Sequence, residues 1–185
     1  MQQRTRVVIL NGVGSAGKGS IAKALQSIAS RPFLHVEMDA FLAMLPDAYF
    51  SHPDGLIFEA IEEGGKPSVV IKSGVVAERL LLGMRRSVAA LASAGNDLIV
   101  DDVMVDDEFA DYRSLLAAFD LSVVGVYASL EVLEARERQR SDRMVGLARW
   151  QFDKVHAGRD YDFTVDTSTA TPLECAELIK TALRL

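Results

Sequence analysis

Val7-Val8-Ile9-Leu10-Asn11-Gly12-Val13-Gly14-Ser15-Ala16-Gly17-Lys18-Gly19-Ser20 changes character twice in a short span. Val7 to Leu10 is an apolar run rich in β-branched residues that stops at Asn11-Gly12, the pattern of a buried strand running into a loop. From Lys18 onward Ile21, Leu25 and Ile28 recur at three- and four-residue steps among Ala22, Ala24 and Ala29, as on a helix packed against a sheet. Between strand and helix lies Gly-x4-Gly-Lys, where a phosphate-binding loop belongs. Glycines let successive backbone N–H groups converge on phosphate oxygens, and the positive end of the helix supports the same charge. The candidate nucleotide-binding residues are therefore Gly12, Val13, Gly14, Ser15, Ala16, Gly17, Lys18, Gly19 and Ser20. Lys18 would reach the β- and γ-phosphates of ATP. A following hydroxyl would help hold Mg2+.

The rest of the chain repeats the strand-then-helix alternation. A second strand is expected over Phe33 to Met38, ending at Asp39, and then a short helix through Phe41 to Leu45, stopped by Pro46. Residues 47–74, with Ser51-His52-Pro53-Asp54-Gly55 and Glu62-Glu63-Gly64-Gly65-Lys66-Pro67 around an apolar piece from Leu56 to Ile61, read as an irregular insertion covering a site. Val76, Leu80, Met84, Val88 and Leu91 mark a helix closed by Gly95-Asn96, followed by the strand Leu98-Ile99-Val100. An amphipathic segment with Phe109, Tyr112, Leu115, Leu116 and Phe119 precedes a fourth strand, Val123 to Tyr127, and a long polar helix from Leu130. Phe163 to Val165 is a fifth strand. Thr171-Pro172-Leu173-Glu174 has the form of a capping box with proline at the first helical position. These elements, with the glycine loop, predict an α/β, three-layer P-loop nucleoside-triphosphate fold. Its five-stranded parallel sheet carries helices on both faces, in a single domain spanning 1–185.

With 20 basic and 26 acidic side chains among 185 residues, the net charge is -6. This argues against a general nucleic-acid or anionic-membrane binder, so phosphate affinity must be local. The lone Cys175 excludes an intramolecular disulfide and no Cys/His cluster has zinc spacing, which fits a reducing cytoplasm. The N-terminal apolar run is too short for a signal peptide, and no stretch approaches a membrane span.

Two carboxylates stand where kinase chemistry needs them. Asp101, delivered by the strand Leu98 to Val100, can hold Mg2+ directly or through water. Asp102 faces the other way, because adjacent strand residues do. Asp39 shares the sheet edge with the phosphate loop, since parallel strands present their carboxyl ends together, and could accept a proton from a substrate hydroxyl or cap the following helix. Arg136, Arg138, Arg140 and Arg143 alternate with Glu137 and Asp142, as on a solvated helix face. The looser Arg140-Ser141-Asp142-Arg143 suits a lid over 136–152 that brings guanidinium groups to the phosphates. Phe41, Met44, Leu45, Tyr49, Phe50 and Phe58 offer apolar surface for an acceptor. His35, His52 and His156 lack ligand spacing and read as structural or exposed, and Trp150 and Cys175 read as packing residues. No Asn-Lys-x-Asp element marks a guanine-specific switch.

The Gly-Lys-Gly-hydroxyl order is shared with adenylate-kinase-like loops, and it leaves open whether Ser20 or Ser15 meets the metal. Val8 to Gly12, the Ser15-to-Lys18 loop, Met38-Asp39, Ile99 to Val103, Arg140 to Arg143, Tyr161-Asp162 and Val165 to Thr167 occur in an order that resembles chloramphenicol phosphotransferase-like proteins across nearly the whole chain. In those relatives a hydroxyl residue directly follows the loop lysine, where this chain has Gly19. The resemblance implies a nucleotide-kinase-like P-loop fold and ATP-dependent phosphorylation of an alcohol, with Asp39 as base, Arg140 and Arg143 as lid arginines and the 47–74 insertion lining the acceptor pocket. Its acceptor would be a small hydroxylated molecule of the chloramphenicol kind. Two other readings remain: a small-metabolite or nucleotide kinase using Lys66, Lys72, Arg79, Arg85 or Arg86 for an anionic acceptor, and an ATP-binding regulatory module without transfer. Self-association into a homo-oligomer is left open.

Overall fold

The computed structural model of the protein describes residues 4–140 and 144–185. The opening apolar run forms β1 (Arg6–Asn11), and the periodic segment after the glycine loop forms α1 (Lys18–Ile28). Next come β2 (Phe33–Glu37), α2 (Met38–Leu42), β3 (Leu56–Glu63), β4 (Lys66–Ser73), α3 (Val75–Ser93), β5 (Asp97–Asp102) and α4 (Glu108–Leu115). The chain closes with β6 (Asp120–Tyr127), α5 (Leu130–Arg138), α6 (Leu147–Val155), β7 (Phe163–Asp166) and α7 (Pro172–Leu183). Five strands pair in the order β2-β5-β1-β6-β7, and every pairing is parallel.

Strand alternation divides the core between the two faces of this sheet. Val8 and Leu10 join Ile21 and Leu25 of α1 and Cys175 and Ile179 of α7 on one side. Val7 and Ile9 join Met84 and Val88 of α3 and Tyr112 and Leu116 around α4 on the other. Both faces of β1 are thus covered by helices, which is why its sequence is continuously apolar rather than alternating. The capping box opens α7 with both reciprocal bonds: Thr171 Oγ1 accepts the Glu174 N–H at 3.3 Å, and Glu174 Oε2 accepts the Thr171 N–H at 2.7 Å. At the opposite end of the sheet from the glycine loop, Arg6 donates to the carbonyls of Arg184 (2.6 Å) and Leu183 (3.3 Å), fastening β1 to the end of α7.

Residues 47–74 depart from expectation. They contain an antiparallel hairpin in which all of β3 pairs with β4, from Leu56 opposite Ser73 to Glu63 opposite Lys66. Gly64 and Gly65 both have positive φ (57° and 74°), the requirement of a two-residue hairpin turn whose twist matches its strands. Leu56, Phe58 and Ile71 from the hairpin, Leu42 and Leu45 from the α2 region, and Ala77 and Leu80 of α3 form a separate small core. The α2 helix also starts earlier than its apolar residues suggest, so that Asp39 lies inside its first turn instead of preceding it. The polar helix from Leu130 stops at Arg138.

Candidate functional site

The glycine loop joins β1 to α1 at the carboxyl edge of the sheet. Its lysine is 7% exposed, and the ammonium folds onto the loop, donating to the carbonyls of Gly12 (2.8 Å) and Val13 (3.1 Å). The Gly14 N–H donates to Gln151 Oε1 of α6 at 2.8 Å. Thr167, just past β7, supports the other shoulder, donating from its hydroxyl to Ala16 O at 2.9 Å. Arg136 holds Thr167 in turn through Nη1 to the hydroxyl (2.9 Å) and Nη2 to the carbonyl (2.6 Å). The first turn of α1 has no acidic residue, leaving the positive helix end available to an anion.

Asp101 and Asp102, adjacent at the end of β5, have different surroundings. Asp101 Oδ2 lies 3.0 Å from His35 Nε2, and His35 Nδ1 lies 3.1 Å from Glu37 Oε1. These three residues come from neighbouring β2 and β5, and their ligand atoms lie within 4.8 Å of one another. The β2–β5 pairing brings His35 beside Asp101, so that its structural role includes holding this carboxylate. A Cβ placed on Gly19 would meet Asp101 Oδ2 at 3.3 Å, so a larger residue after Lys18 would crowd this carboxylate. Asp102 is buried, accepts from the Tyr112 hydroxyl (2.9 Å) and the Val103 N–H (2.7 Å), and burial pushes its carboxyl up to about 6.

Asn11 fixes the start of the loop. Its Nδ2 donates to Tyr161 Oη (2.8 Å) and Val155 O (3.1 Å), and its Oδ1 accepts the Met104 N–H (2.9 Å). His156 stacks on Tyr127 with ring centroids 3.9 Å apart, and its Nδ1 lies 2.8 Å from Tyr161 Oη. Burial, helped by the Lys18 charge, lowers its pKa to about 4.

One cavity of about 1150 Å³ joins the loop to the hairpin. Lys18, Ser20, Asp39, Asp101 and Arg140 line it, with Phe50, Phe58 and Ile71 on the hairpin side. Arg143 lies outside the described residues. Of the remaining residues expected to offer apolar surface, Leu45 and Tyr49 pack in the hairpin core, Phe41 packs with the sheet and Met44 is 64% exposed. Trp150 lines the cavity instead of serving only as packing, alongside Gln151, Glu37 and Glu108. No local pattern marks these four, because each reaches the cavity through a long-range crossing of elements. Lys72 and Arg85 also face the cavity, but each is held in an ion pair, with Glu59 (2.7 Å) and Asp111 (3.0 Å) respectively.

The sheet order, glycine loop and carboxylates at the strand ends define a P-loop kinase fold. The chain belongs to the chloramphenicol phosphotransferase-like family, whose model matches residues 5–184. A Mycobacterium tuberculosis protein named "Putative O-phosphotransferase" is 32% identical over 174 residues, covering 91% of this chain and 77% of that protein. In fold the chain is similar to the Mycobacterium tuberculosis APS kinase CysC, solved with AMPPNP and APS, at a TM-score of 0.68 and 14% identity over 98% of this chain and 99% of that one. It is likewise similar to a sugar kinase from Janibacter sp. HTCC2649 (TM-score 0.66, 21% identity, 97% and 95% covered) and a gluconokinase from Sinorhizobium meliloti 1021 (TM-score 0.65, 15% identity, 99% and 94% covered). The family is thus one of kinase-like phosphotransferases. No helix among the described residues is long and apolar enough to cross a membrane.

Proposed function

We propose that the protein moves the γ-phosphoryl group of MgATP to a hydroxyl of a small, neutral, partly apolar acceptor of the chloramphenicol kind. The observation that carries this reading is the single cavity that Lys18 and Asp39 share with Phe58 and Ile71 of the hairpin. An anionic acceptor has less support, because the two basic residues on that side, Lys72 and Arg85, are already neutralised by Glu59 and Asp111. Carboxylate oxygens of Asp101 and Glu37 and the Ser20 hydroxyl line the cavity beside the loop, a set of hard oxygen donors that fits Mg2+. Asp101 and Ser20 would hold the ion.

Bound MgATP supplies the electrophilic phosphorus and a leaving group whose charge the cation offsets. Asp39 takes the proton of the acceptor hydroxyl as that oxygen bonds to the γ-phosphorus and the bond to the β-phosphate oxygen breaks, releasing ADP. Lys18 exchanges the Gly12 and Val13 carbonyls for phosphate oxygens, and Gln151 yields the Gly14 N–H to the same ligand. Arg140 balances charge on the equatorial oxygens.

Two measurements test the reading. Hydroxylated compounds, chloramphenicol included, are incubated with MgATP and scanned by mass spectrometry for a phosphate-sized gain; no product from any of them favours a nucleotide-binding regulatory module. With an active acceptor, Asp39→Asn is expected to keep MgATP affinity within about twofold and lose transfer by roughly 10²–10⁴-fold. Transfer at the parent rate would remove Asp39 from the role of base.

A further inference from the structure

Glu137 stands in a run of alternating charges that reads as a solvated helix face, yet it is 2% exposed. Its Oε2 accepts the Gly146 N–H at 2.7 Å and its Oε1 accepts the Ala148 N–H at 2.9 Å. Both N–H groups belong to the start of α6, whose N-cap, Gly146, provides no side-chain cap. The carboxylate of one helix therefore caps the next, in the place where negative charge is most favourable. Among the described residues no cation pairs with it, so these backbone donors balance its buried charge.

Gly146 is also the point at which this segment meets the acceptor hairpin. Its carbonyl accepts the Val69 N–H of β4 at 3.0 Å. A Cβ at Gly146 would come within 2.9 Å of Pro67 O and Ser68 Cα, so only glycine allows the approach. On the α5 side, the Arg140 N–H donates to the Glu137 carbonyl at 3.1 Å, which carries the last turn of that helix on to Arg140. Arg140 faces the cavity with Lys18, and Met144 and Leu147 line it as well. The Glu137 carboxylate thus joins the end of α5, which carries Arg140 one turn further on, to the start of α6, and Gly146 fastens that start to the wall that would hold the acceptor.

We infer that Glu137 is a positioning residue for phosphoryl transfer: by bonding Gly146 and Ala148 it sets where Arg140 meets the transferring group. The inference rests on the proposed phosphotransferase reading, in which Arg140 balances charge on that group. A misplacement of about 1 Å at such a contact costs on the order of 10² in rate, so a residue that touches no substrate can govern the reaction. Glutamine at 137 keeps the shape but replaces one acceptor oxygen with a donor that faces an N–H, so one of these bonds is lost.

The test needs no identified acceptor. Calorimetry compares binding of MgADP alone with MgADP plus aluminium fluoride, a mimic of the transferring phosphoryl group, on folded protein well below each variant's thermal midpoint. The parent is expected to gain about tenfold or more from the fluoride, the equivalent of about 1.4 kcal/mol. Arg140→Ala and Glu137→Gln are both expected to lose that gain while keeping MgADP affinity within about twofold. If Arg140→Ala loses the gain and Glu137→Gln keeps it, the positioning inference is overturned and the arginine assignment stands. If both keep it, or the parent shows none, the arginine assignment fails and the inference fails with it. If Glu137→Gln loses MgADP affinity to the same degree as the gain, Glu137 is structural support only, which also overturns the inference. Should Glu137→Gln fail to fold, Gly146→Ala, which leaves the carboxylate in place but forces the segment off the hairpin, carries the same comparison.

Discussion

Burial keeps the Asp102 carboxyl near 6, above its ordinary value of 3.8. The folded protein therefore binds a proton there more tightly than the unfolded chain does. Its contribution to stability is complete below about pH 4 and is lost as pH rises through about 6. His156 has the opposite sign: with its pKa lowered to about 4, its contribution is complete above about 6.5 and is lost as pH falls through about 4. Comparing Asp102→Asn with the parent isolates the carboxylate. Between pH 4 and pH 7 the difference in unfolding free energy should move toward the variant by roughly 2–3 kcal/mol, following about 1.4 kcal/mol per unit of pKa difference. Urea titrations at several pH values measure it, and a pH-independent difference would mean that Asp102 titrates normally. Alternation along β5 makes it legible in the sequence that Asp101 and Asp102 part company. That Tyr112 covers one and His35 meets the other is not legible, since both contacts depend on how distant elements are laid side by side. The same is true of Glu137, whose neighbours in sequence describe a wet helix and whose neighbours in space do not.

Among the elements, the legible ones are those decided locally. The α7 capping box is written in Thr171 and Glu174, and the glycine loop in the switch from strand to helix periodicity. The β3–β4 hairpin is obscured because Glu59, Glu62, Glu63 and Lys66 dominate its exposed end, leaving little hydrophobic alternation to read. Pro67 weakens the strand signal further, although a two-stranded sheet has unpaired edges that tolerate it. Gly65→Val places a β-branched side chain at a φ of 74°, at a cost of about 1–2 kcal/mol. Hydrogen exchange should show the hairpin amides opening roughly tenfold faster, or more, with amides of β1 and β5 unchanged. Equal acceleration throughout would mean that hairpin and sheet unfold as one unit.

For the whole molecule, the alternation of strands and helices announces a parallel sheet covered on both faces, but the order β2-β5-β1-β6-β7 is one of several that such a sequence allows. The order matters because it brings β2 and β5 together at the edge where the glycine loop leaves β1. Against a net charge of -6, Lys18 and the N-terminus of α1 are the groups at that edge that would attract phosphate. MgATP at about one hundred times its dissociation constant should add about 2.7 kcal/mol to stability and raise the thermal midpoint by roughly 5–10 °C. Lys18→Ala should abolish most of that rise in a melting experiment; an undiminished rise would locate nucleotide binding elsewhere.

The bonds from Arg6 to the carbonyls of Leu183 and Arg184 place the beginning and end of the fold side by side, at the edge of the sheet away from the cavity. Sequence order and site geometry are therefore separable. A short flexible bridge from Leu185 to Arg4, with new termini opened between Gly64 and Gly65, gives a circularly permuted chain that keeps the sheet order and the glycine loop intact. In that rearranged chain β3 and β4 become the two ends of the polypeptide, still paired with each other, so that the wall of the cavity can be varied from the termini while the order of the main sheet is left alone.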